Sequence, residues 1–73
     1  MKGNSFGNTL KKCRVQRGLS QEELAFRSEL HRTYISQLER GLKSPSLSTI
    51  NRLAAALGMS AAELVRKAEQ ASQ

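Results

Sequence analysis

Apolar residues recur at spacings of three and four from one end of the chain to the other. Phe6, Leu10 and Cys13 form the first stripe, and Leu24 with Ala25 a short second. Ile35, Leu38 and Leu42 form a third, and Ile50, Leu53, Ala54 and Leu57 a fourth. Leu64, Val65 and Ala68 form a fifth. A repeat near 3.6 marks the core-facing side of a helix. The few alternating apolar stretches are too brief to make strands. The chain therefore reads as all-α, a compact array of five short helices.

The residues between the stripes punctuate them. Asn4 or Ser5 is expected to cap the first helix, which runs to about Arg17. Gly7 falls in its first turn, where fraying costs little. Gly18 suits the left-handed position past the helix end. Ser20 with Glu23 three residues on is a capping box, and Leu19 stands where a hydrophobic staple would. Helix two then runs to Arg27 or Ser28, with Leu24 and Ala25 inward. Phe26 reads either as core edge or as a partly exposed ring. Residues 28–31 turn the chain, with Leu30 as an apolar plug.

Helix three is expected from about Arg32 to Arg40, stopped by Gly41. Residues 42–47 are a loop, and Pro45 disfavours helix at Ser44. Ser46 or Ser48 caps helix four, and Gly58 ends it. Ser60 with Glu63 is a second capping box, opening helix five. Residues 5–70 form one domain, and residues 1–4 and 71–73 are expected to be flexible tails.

Charge adds a partner to this picture. Twelve Lys and Arg stand against six acidic residues, all Glu, for a net charge of +6 on 73 residues. That field favours a polyanionic partner, although a soluble basic protein with no particular partner fits the charge equally well. The single Cys13 cannot form an internal disulfide and reads as a small core residue. With His31 the only His, a zinc site lacks ligands. No cofactor is expected. No run of apolar residues is long enough for a membrane span or a signal peptide, so the chain is expected in the cytoplasm.

Helix three carries the candidate chemistry. Stepping about 100° per residue puts Ile35, Leu38 and Leu42 on one side, with Tyr34 at the margin. The opposite side carries Thr33, Ser36, Gln37 and Arg40, with Arg32 at its edge, and has no acidic residue. Gln can pair bidentately with adenine, Arg with guanine, and the Thr methyl can meet the thymine methyl. Hydroxyls and Arg also bind phosphates, which position a protein without reading sequence. Glu39 falls toward the inner margin and needs a partner there. Arg14, flanking the stripe of helix one, is the best placed.

These residues resemble the Cro/CI-type (XRE-like) helix-turn-helix regulators, a lambda-repressor-like fold. The resemblance rests on Arg14, on GLSQEELA at residues 18–25, and on YISQLERG at residues 34–41. The segments PSLSTI at residues 45–50 and LAAALG at residues 53–58 complete it. Each is weak alone; all in order at family spacing are specific. The resemblance implies a compact five-helix domain whose third helix enters the major groove of double-stranded DNA. It places Arg32, Thr33, Ser36 and Gln37 in base-contacting slots. It places Gln21, Arg40 and Lys43 along the DNA backbone, where Tyr34 is also assigned, with Gln21 bracing the third helix. Arg14 and Glu39 match the family's structural ion pair. Small members of this kind are similar to the controller proteins of restriction-modification systems, to prophage repressors and to antitoxins.

Two positions depart from the family pattern. Glu29 stands in the turn where Gly is common, and a left-handed non-Gly residue costs roughly 1 kcal/mol. His31 stands at the cap of helix three, where Ser, Thr or Asp would cap better; it could alternatively touch a phosphate.

The expected function is a sequence-specific, DNA-binding transcriptional regulator that reads a pseudo-palindrome as a homodimer. Leu64, Val65 and Ala68 are the expected dimer interface, because they extend the apolar stripe beyond the needs of a four-helix core. The rival is an antitoxin-type module that binds a protein partner and DNA only secondarily. Catalysis is disfavoured, since His31 has no acid or nucleophile near it in sequence and no phosphate loop is present. RNA binding is disfavoured by the scarcity of aromatics. No small-molecule ligand is expected.

Overall fold

The computed structural model describes residues 3–71, and these form five helices in the order read from the stripes: α1 (Gly3–Gln16), α2 (Gln21–Ser28), α3 (Arg32–Glu39), α4 (Leu47–Ala56) and α5 (Ala61–Ala71). Helices α2 and α3 have eight residues each. Peptides so short are not stable helices in water, so tertiary packing and caps must hold them.

All five helices send side chains into one core. Phe6 and Leu10 come from α1, Leu24 from α2, Ile35 and Leu38 from α3, Leu53 and Leu57 from α4 and its end, and Leu64 from α5. Each such side chain contributes about 1.5–3 kcal/mol on burial. Helix α1 packs on α5 and α3, α2 packs on α3 and α4, and α4 packs on α5. Helix α3 is thus clasped between α1 and α2.

The capping boxes form as read. The Ser20 N–H donates to Glu23 Oε1 at 2.9 Å, and Ser20 Oγ accepts from the Glu23 N–H at 3.0 Å. Ser60 and Glu63 repeat this at 3.3 and 3.1 Å. Ser46, rather than Ser48, caps α4 by accepting from the Thr49 N–H. The backbone N–H of each leading Ser holds the Glu23 and Glu63 carboxyls below their ordinary value. A depressed folded pKa stabilises above the unfolded value, and that help is lost as pH falls through the folded one.

The first cap expectation is corrected. Helix α1 already includes Asn4 and Ser5. Any cap ahead of Gly3 lies outside the described residues, as do the outer parts of the expected tails. Ala71 is still helical.

The helix ends share one device. After α1, α3 and α4, Gly18, Gly41 and Gly58 take positive φ, and the following N–H reaches back to Arg14, Gln37 and Ala54 carbonyls. After α2 the same bond runs from the Leu30 N–H to the Ala25 carbonyl, but the left-handed residue is Glu29, at φ 58. Glu29→Gly is therefore expected to stabilise by about 0.5–1 kcal/mol, the relief of steric strain exceeding the added freedom of the unfolded chain. Thermal denaturation checks this; a lower melting temperature would mean that Glu29 makes a compensating contact.

Two apolar assignments change. Leu42 is exposed, because the left-handed Gly41 ends the 100° stepping that had placed it beside Ile35. Phe26 resolves to the outside, 86% exposed.

Candidate nucleic-acid interface

Helix α3 is seated by Ile35 and Leu38, both buried, while Tyr34 packs half-buried against the core. Its opposite face looks outward. Arg32, Thr33 and Arg40 are exposed, and Ser36 and Gln37 are half-buried. The side chains of Arg32, Thr33, Ser36 and Gln37 donate no hydrogen bond to the described chain, whereas Arg40 Nε lies 3.4 Å from the Ser36 carbonyl. The four expected base-reading residues are thus gathered on one surface with their polar groups uncommitted. Lys43 is exposed just beyond the helix.

The inner edge of α3 is held by a charged network. Arg14 Nε donates to Glu39 Oε2 at 2.7 Å and Arg14 Nη2 to Glu39 Oε1 at 3.1 Å, a two-pronged fork. Arg14 Nη1 donates to the Leu19 carbonyl at 2.8 Å. Gln21 Nε2 donates to Glu39 Oε1 at 3.1 Å. Glu39 is 7% exposed. A carboxylate so buried is tolerable because three donors meet it. Helices α1, α2 and α3 are joined at this point, as the expected pairing of Arg14 with Glu39 requires.

Gln21 opens α2 and remains half-exposed. One amide hydrogen goes to Glu39, leaving the other for an acceptor outside. This geometry suits a residue that braces α3 and faces a phosphate at once.

His31 occupies the cap position of α3, is exposed, and makes no side-chain capping bond. The α3 N-terminus therefore keeps free backbone N–H groups beside Arg32.

Sequence reasoning missed Gly7. It does not sit in a fraying turn; it is buried where α1 crosses the end of α3. A Cβ there would collide with the Leu38 carbonyl oxygen and stand 2.7 Å from that of Glu39. A signal for this was present. Gly7 lies seven residues before Arg14, two helical turns along the same face, and Arg14 was already assigned to reach Glu39.

The dimer assignment is also corrected. Leu64 and Ala68 are 0% exposed within the single chain, so they offer no surface to a second copy. Five helices, not four, close this core. Val65 alone of the three is partly accessible.

An outward polar helix on a two-helix clasp is the architecture of a helix-turn-helix protein, and the helix-turn-helix family model (HTH_3) matches residues 10–64. The chain belongs to this family of DNA-binding transcriptional regulators, which is not enzymatic. It is 43% identical over 61 residues to the control protein C.BamHI of Bacillus amyloliquefaciens, covering 82% of this chain and 75% of that one. It is 41% identical over 66 residues to the control protein C.MunI of a Mycoplasma species, covering 89% of each. Among solved structures, the restriction-modification controller protein C.AhdI from Aeromonas hydrophila superposes with a TM-score of 0.82. Identity there is 45%, over 85% of this chain and 94% of that one. Among the described residues no helix is long and apolar enough to cross a membrane.

Proposed function

We propose that this regulator binds a pseudo-palindromic operator as a homodimer, with α3 in the major groove. The reading rests on one observation: the uncommitted polar face of α3, held rigid from behind by Arg14 and Gln21 on Glu39. Arg32, Thr33, Ser36 and Gln37 meet base edges. Gln21, Tyr34, Arg40 and Lys43 meet the backbone on either side. The exposed His31 caps no N–H, so the α3 N-terminus is free to approach a phosphate.

Dimerisation follows from reach. A helix of eight residues is about 12 Å long and spans only about four base pairs at 3.4 Å each. So short a word is too frequent in any genome to define a site. Two copies reading half-sites about 34 Å apart double the word. A second copy would approach α5 by way of Val65. The similarity to restriction-modification controller proteins supports a role in controlling such a system.

The test is affinity for an operator selected from random duplex DNA. Gln37→Ala and Arg32→Ala should each cost about 1–3 kcal/mol on the selected site and relax preference at one position. Equal losses on random DNA would move those residues to the backbone class. Added salt should weaken binding steeply as counterions are released. A flat salt response would sink the proposal.

A further inference from the structure

Arg17 and Arg27 line one cavity of about 410 Å³, to which α3 contributes no residue. Leu19, Ala56 and Leu57 form its apolar side, and Gly58 closes it at the end of α4. Leu19 and Leu57 are buried, so that side is fixed by the core rather than free to move. No carboxylate lines the cavity, and none of its residues is assigned to DNA.

Both guanidinium groups are uncommitted. Neither Arg17 nor Arg27 forms an ion pair or donates a side-chain hydrogen bond within the described chain. Glu23 precedes Arg27 by one helical turn, but its carboxylate is engaged by the Ser20 N–H at 2.9 Å. Arg17 is also placed rather than loose. A Cβ on Gly58 would stand 3.0 Å from Arg17 Nη1 and 3.7 Å from its Cζ, so the guanidinium rests close against the bare backbone there. The carbonyl end of α4 carries roughly half a negative charge. Two guanidinium groups outweigh it, and the cavity is net positive.

We infer that this cavity binds a small phosphomonoester, with Arg17 and Arg27 on the phosphate oxygens and a compact apolar body against Leu19, Ala56 and Leu57. A planar guanidinium meets phosphate oxygens two at a time, and a pair of them suits a dianion better than a single carboxylate. The volume falls within the range of small-molecule sites, about 300–1,000 Å³, which leaves room for an organic group beside the phosphate. The lining comes from three separate stretches, residues 17–19, 27 and 55–58. No local motif marks such a site, which is why the sequence gives no sign of it.

The test is a titration of the ¹⁵N-labelled full chain with phenyl phosphate, at fixed ionic strength and without DNA, followed by nuclear magnetic resonance. Amide signals of Leu19, Leu57 and Gly58 and the Nε–H signals of Arg17 and Arg27 should move together and saturate. The Kd should be on the order of 1 mM for a ligand of this size. Arg17→Gln and Arg27→Gln should each weaken binding about tenfold, the loss of one charged hydrogen-bond partner. Both side chains are exposed, so each variant should keep the fold. Benzoate, with the same ring and a single charge, should bind more weakly than phenyl phosphate; equal affinity would overturn the phosphate assignment. Saturating operator DNA should leave phenyl phosphate bound, and its displacement would give the cavity to the DNA backbone instead. Shifts confined to residues 31–34 at the start of α3, shifts that never saturate, or undiminished affinity in either Gln variant would sink the inference.

Discussion

Glu39→Ala is expected to destabilise the domain, by about 3–5 kcal/mol at the upper limit, the cost of stranding the largely buried partner of an ion pair. The reason lies in what the carboxylate leaves behind. Arg14 loses two of its three acceptors, and Gln21 loses the acceptor for its amide. Arg14 would keep only the Leu19 carbonyl. Against a total stability of about 5–15 kcal/mol for an ordinary domain, this is a large share. Each kcal/mol corresponds to about 4–8 °C in melting temperature for a domain of this size. Thermal and urea denaturation measure it directly. Replacing both partners, as Arg14→Met with Glu39→Leu, should be far milder than Glu39→Ala alone, because no charge is then stranded. An unchanged melting temperature for Glu39→Ala would show that water solvates Arg14 well enough to make the network dispensable.

Gly7→Ala should also destabilise, by less, and its sign is the informative part. In a solvated helix interior the change would stabilise by about 0.8–1.0 kcal/mol, since Ala is the better helix former. Here the added methyl meets backbone carbonyls of Leu38 and Glu39. Backbone oxygens of a capped helix end cannot swing aside as a side chain would. Overpacking of this kind costs typically 1–3 kcal/mol and occasionally more, so the contact outweighs the propensity. The same shift would press α1 away from α3 at the residues flanking the Arg14 fork. Operator affinity should therefore fall along with the melting temperature. A rise in melting temperature would mean that the two helices separate at no cost.

Much of the fold was legible because it is written in local rules. Ser20 with Glu23 and Ser60 with Glu63 satisfy helix-end donors within four residues, so no distant partner is needed to recognise them. The glycines after α1, α3 and α4 are equally local. The outer face of α3 could be read from angular stepping alone, since Ile35 and Leu38 fix the inner side.

What was not legible depended on distance through space. Leu42 left its stripe because one left-handed residue rotated the chain. Leu64 and Ala68 read as surplus apolar surface until α5 was seen packed on both α1 and α4. Gln21 read as a phosphate ligand with a bracing role; its bond to Glu39 gives that bracing a geometry.

The sequence by itself determined the helix count, the caps, the basic character and the family, because periodicity, capping and charge act over a few residues or over the whole chain at once. Only the tertiary structure decided that Gly7 is a crossing point, that Leu64 and Ala68 are spent inside the core, and that Phe26 and Val15 stand outside it. Those outcomes depend on which helices approach one another and how closely. That is set by the joint packing of all five, which no single stretch of sequence contains.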